Sequence, residues 1–203
     1  MKFKLLMELG IIRVPVDYDS IGWLDMFARL YRWRFHYYNE AITSANFPRP
    51  SHLLRSGDRL LVSILEQTAS GLTTSEERMA FLASRNAVYT GAHGLLLVWD
   101  QYRDRLPKDF WCGSFDKKER LWKDQAGRHA VPGLEAISGG PFCVGIARWE
   151  NSWCETDLIL CFNKVFPEQK SRITTAVENP NPIMEDAKIS DPRLVTVCAT
   201  SQW

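Results

Sequence analysis

The sequence lacks the short patterns that usually announce chemistry. It has no HExxH, no CxxC, no GxGxxG, no Walker-type phosphate loop and no GxSxG. Local signatures of zinc hydrolases, zinc ribbons, dinucleotide enzymes, nucleotide hydrolases and serine hydrolases are therefore missing. No apolar run approaches the roughly 20 residues that a bilayer-spanning helix needs, and Glu8 interrupts the apolar start before a signal-peptide core forms. No membrane association is expected.

Neither sign of charge dominates. There are 25 Lys and Arg against 24 Asp and Glu, a formal net charge of +1, so no global field draws the chain to nucleic acid or anionic lipid. Five cysteines in 203 residues are odd in number and sparse. That argues against a disulfide scaffold and for reduced thiols, hence a cytoplasmic location.

Aromatic residues are what the chain has in surplus, at 12% with eight tryptophans. They concentrate in residues 20–43. There Asp25, Arg29, Arg32, His36, Asn39, Glu40 and Thr43 fall mostly three or four apart, which predicts one polar helical face. Leu24, Phe27, Tyr31, Phe35, Tyr38 and Ile42 form one apolar stripe. Trp23, Met26, Leu30, Trp33 and Tyr37 form a second, with Arg34 the one charge on the apolar side. A helix that is apolar over most of its circumference must be covered, by the rest of the chain or by a partner.

Elsewhere the pattern predicts strands at 2–16 and 59–67. Thr74 and Glu77 have capping-box spacing for a helix at 75–85, with Met79, Phe81 and Leu82 inward. A second short helix is expected at 95–106, ended by Pro107, with Gly91 and Gly94 as a flexible break before it. From 110 to 163, short aromatic runs alternate with turn clusters, the rhythm of an antiparallel meander. The expected fold class is α+β: a mostly antiparallel sheet, a long aromatic-rich helix at about 20–43, and one or two shorter helices within 75–106. A single domain would span 1–163. Residues 164–203, interrupted by Pro180, Pro182 and Pro192, would form an extension with a last strand at Leu194–Ala199.

Four histidines stand at 36, 52, 93 and 129, none with a zinc-spaced partner, so no metal and no cofactor is expected. His93 or His129 acting on Cys112, or with a nearby carboxylate, is the catalytic alternative, because a thiolate needs a base or a cation to form. Asp100, Asp104, Asp109 and Asp116 alternate with basic residues and read as a solvated face. The segment 29–38 sets Arg29, Arg32, Arg34 and His36 among Tyr31, Trp33, Phe35 and Tyr37, a composition used on single-stranded nucleic acid. Nucleic acid ranks second to protein, because the helical reading places most of those rings opposite the cations. The preferred expectation is a non-catalytic binding or regulatory protein, contacting another protein or itself through Trp23, Trp33, Arg34 and Tyr37.

Overall fold

A computed structural model describes residues 2–165. The expected C-terminal extension, with its last strand at Leu194–Ala199, lies outside the described residues. Strand β1 (Phe3–Arg13) is followed by helix α1 (Trp23–Tyr31), strand β2 (Phe35–Tyr38), strand β3 (Arg59–Gln67), helix α2 (Ser75–Ser84) and helix α3 (Gly91–Tyr102). Strands β4 (Trp111–Gly113), β5 (Ala130–Ala136), β6 (Phe142–Arg148) and β7 (Asp157–Lys164) complete the order. All seven strands join one sheet, in the order β1-β3-β7-β4-β5-β6-β2.

The fold is α+β, but the sheet is mixed, not mostly antiparallel: β4 runs parallel to β7, and β2 runs parallel to β6. Strands β4, β5 and β6 do form the expected meander. The next strand leaves it, crossing back to lie between β3 and β4. The residues of β7 explain this. Leu158, Leu160 and Phe162 join one core cluster, while Ile159 and Cys161 join another. A strand apolar on both faces needs cover on both, and that exists only in the middle of the sheet.

The long helix expected at 20–43 is broken. Helix α1 ends at Tyr31, a 3-10 turn follows at Arg32–Arg34, and Phe35 enters extended backbone at φ −101°, ψ 143°. The cause is the aromatic cluster around Trp99. As strand residues, Phe35 and Tyr38 are buried, with the Phe35 ring 4.5 Å from Trp99 and Phe27 5.4 Å from it. The helical part buries Trp23, Leu24 and Phe27, and the break lets Phe35 and Tyr38 reach the same core from extended backbone while Trp33 and Tyr37 face solvent. The helix that runs through the middle of the fold is instead α3, buried at every position from Gly91 to Trp99. It begins earlier than the spacing predicted. Gly94 is required inside it, because a Cβ there would sit 2.0 Å from Thr90 Oγ1 and 3.0 Å from Phe162.

Helices α1 and α3 pack over one face of the sheet, and α2 over the other with Phe115, Trp149 and Trp153. The capping box on α2 forms as expected: Glu77 N–H donates to Thr74 Oγ1 at 3.2 Å, and Thr74 N–H donates to Glu77 Oε2 at 3.0 Å. Its fully buried face carries Ser75, Arg78 and Leu82, while Met79 and Phe81 are only partly covered.

Close packing makes one small residue in the sheet decisive. A Cβ on Gly133 would lie 2.1 Å from the Trp111 ring, which lies across it from the neighbouring strand. Gly133→Ala should destabilise the chain by about 1–3 kcal/mol through overpacking, read as a lower urea midpoint with an unchanged slope.

Candidate functional site

The catalytic candidates are placed apart, each with its own partners. His93 sits in the first turn of α3, 1% exposed. Its Nε2 lies 2.9 Å from the Phe47 carbonyl, which can only accept, so Nε2 carries the proton. Nδ1 then accepts from the Tyr18 hydroxyl at 2.8 Å. Both ring nitrogens are thus used inside the fold, and burial pulls the imidazole pKa down to about 4. Cys112 is buried in β4, and burial pushes its thiol up to about 12, with Glu135 adding to the shift. An activated thiol requires the opposite environment. His129 pairs through Nδ1 with Glu150 at 2.8 Å, and Lys118 lies 3.7 Å from the same carboxylate oxygen. No hydrogen bond joins His93, His129 and Cys112 to one another among the described residues. No group of three or more metal-ligating side chains occurs there either.

Asp116 departs from the solvated face predicted for it. It is 3% exposed, accepts from Ser51 N–H at 3.1 Å and Lys117 N–H at 2.7 Å, and burial raises its carboxyl pKa to about 6. With Phe47, Arg49, Gly91, His93 and Arg120 it lines a cavity of about 10 Å³, the space of about one water molecule. The cavity is too small for a substrate. Its polar groups instead tie residues 47–51 to the start of α3. Asp109 by contrast stays exposed, as predicted, while its carboxylate accepts from Ser138 N–H at 2.8 Å. The burial of Asp116 had no local signal: only the fold shows that this acid is covered.

The interface candidates divide. Trp23 is a core residue, 5% exposed, against Tyr18 and Phe27. The other three share one short stretch. Trp33, in the 3-10 turn, is 75% exposed, and Tyr37 in β2 is 38% exposed. Trp33 is nonetheless held: its indole N–H donates to the Leu30 carbonyl at 3.0 Å, and the Arg34 guanidinium lies 5.0 Å from its ring centre and 5.8 Å from Tyr31. Leu30, missed as a surface residue, is 48% exposed in the adjoining turn. Beside them, β2 ends the sheet among the described residues, and an open groove of about 490 Å³ runs past Arg32, His36, Tyr37, Asn39 and Glu40.

The opposite edge of the sheet is treated differently. On β1, Gln101 donates to the Arg13 carbonyl at 2.8 Å and accepts from its N–H at 2.9 Å. Tyr102 donates to the Ile11 carbonyl at 3.1 Å, and Arg105 donates to the carbonyls of Leu9 and Glu8. Side chains from the end of α3 and the following turn thus occupy backbone groups along the Glu8–Arg13 half of β1, a way of blocking strand addition there.

Among the described residues, no helix is long and apolar enough to cross a membrane. No family model matches the chain, and neither a curated protein nor a solved structure matches it.

Proposed function

We propose that this is a non-catalytic binding protein that acts through protein–protein contact, using the end of α1, the Arg32–Arg34 turn and β2. One observation carries the reading: Trp33 stands 75% exposed yet is fixed by a hydrogen bond and a stacked arginine. Exposing a large indole to water is unfavourable, and holding it in one place removes conformational freedom. A partner that covers it gains apolar burial without first having to order the side chain. Tryptophan, tyrosine and arginine are also the residue types that most often anchor interfaces. The engaged nitrogens of His93, the buried thiol of Cys112 and the water-sized cavity beside Asp116 give the catalytic alternative no comparable support.

Two tryptophan variants separate surface from core. Trp33→Ala should leave the unfolding free energy within about 0.5 kcal/mol of wild type, whereas Trp23→Ala should lower it by about 3–5 kcal/mol. If Trp33→Ala unfolds the chain, the residue is core and the reading fails. The direct test places a photo-crosslinking amino acid at position 33 in cells. Discrete protein adducts, including a dimer of the chain, support protein contact. No adduct, or adducts to nucleic acid alone, would overturn it.

A further inference from the structure

The geometry points to a partner that presents an acidic, extended segment, with carboxylates against Arg34 and an apolar side chain on Trp33. This inference rests on the protein-contact reading above and adds the chemistry of the partner.

The charges along residues 25–40 are arranged with the acids occupied and the cations outward. Glu40 is held by Arg32 at 2.6 Å. Asp25, near the other end of α1, accepts the Ser44 N–H at 3.0 Å. Arg29 and Arg34 have no ion pair among the described residues. Arg34 is instead stacked on Trp33 and Tyr31. Stacking occupies a face of the guanidinium and leaves its N–H edge to be satisfied by water or by an incoming anion. That edge is a planar fork matched to a carboxylate. The same stacking fixes the fork beside the exposed indole, so one short segment can reach both. Strand β2 lies next to them at the end of the sheet, and the open groove along it suits an extended chain more than a globular knob.

A carboxylate partner fits better than a nucleic acid. Single strands are held by a track of cations and by several stacking platforms in succession. Here Trp33 is 75% exposed and Tyr37 only 38%, so the stretch offers one open ring and one half-covered ring. Phe35 is buried against Trp99, and Tyr31 packs 5.7 Å from the same ring. Arg32 is already committed to Glu40, and the whole chain carries a net charge of only +1.

The test pans a random dodecapeptide display library on the full chain and counter-selects on Trp33→Ala. The best peptide and an oligothymidine are then measured by fluorescence anisotropy. Asp and Glu should be enriched over the unselected library. Binding should weaken at least about tenfold in both Trp33→Ala and Arg34→Ala, as expected for anchor residues. Arg34→Glu should prefer the same peptide with its acidic residues changed to lysine. Trp33-dependent peptides with no acidic bias would overturn the charge assignment and leave the contact surface standing. No Trp33-dependent peptide, or Trp33-dependent binding of oligothymidine alone, would overturn both.

Discussion

Arg78→Met should lower the unfolding free energy by about 3–5 kcal/mol, among the largest losses available from a single substitution in this chain. Arg78 is 0% exposed on the inner face of α2. No carboxylate lies within ion-pair distance of it among the described residues. The cation is instead solvated by the protein. Nε donates to Thr73 Oγ1 at 3.1 Å, Nη1 to the Asp157 carbonyl at 2.6 Å, and Nη2 to the Cys154 carbonyl at 3.1 Å. The rings of Trp153 and Phe3 lie 5.2 and 5.9 Å from the guanidinium carbon. Burial lowers its pKa only to about 10, so the group stays charged at neutral pH.

Methionine would fill much of that volume but donate nothing. The Asp157 carbonyl would then lose this donor, at about 1–3 kcal/mol for a buried group, whereas the Cys154 carbonyl keeps the Asp157 N–H at 3.1 Å. Arg78→Lys should recover only part of the loss, because one ammonium does not reproduce a planar fork that spans the loop before β7 and Thr73, two residues ahead of α2. Urea unfolding at neutral pH measures both. A loss below about 1 kcal/mol in Arg78→Met would mean that water replaces the guanidinium, and that the site is not as closed as its burial indicates.

Arg78 also marks the limit of what the sequence made legible. Strand β3 was readable because Leu60 to Leu65 is an apolar run broken only by Ser63, between a glycine turn and polar residues. Helix α2 was readable because Thr74 and Glu77 cap it within four residues. Arg78 carries no such local mark, since its partners at 154 and 157 lie far along the chain. Trp23 and Trp33 show the same difficulty in sharper form. On one continuous helix they share a stripe; the turn at Arg32–Arg34 sends one inward and the other to solvent. The polar residues from Asp25 to Glu40 fit a helical period well, and what overrides it is non-local: Trp99 and β6 reward an extended Phe35–Tyr38. The parallel pairing of β7 with β4 was hidden likewise, because local alternation says which face a residue lies on and not which strand is its neighbour. Arg34 and Tyr37 were recognisable as a surface pair only by their composition, an arginine among aromatics.

Asp116→Asn should expose a loss of stability in acid that the wild-type chain conceals. His93 titrates near 6.5 when unfolded but is held down to about 4 in the fold. As pH falls from 6.5 to 4 the unfolded chain takes up a proton that the folded chain refuses. This lowers stability by about 3 kcal/mol across that window. Asp116 works in the opposite sense. Its carboxyl moves from an ordinary 3.8 up to about 6 in the fold, so between pH 6 and 4 the folded chain binds the extra proton and stability rises by about 3 kcal/mol as pH falls. The two groups line the same cavity, and their effects nearly cancel over pH 4–6. Removing one reveals the other. Relative to wild type, Asp116→Asn should lose about 3 kcal/mol on going from pH 6 to pH 4, and His93→Gln should gain about as much over the same range. Subtracting the wild-type curve removes the exposed carboxylates common to all three proteins. Urea unfolding across the window reads the differences directly. A flat difference curve for Asp116→Asn would show a carboxyl that ionises as it does in water, and would break the link between its burial and the stability of the α3 start.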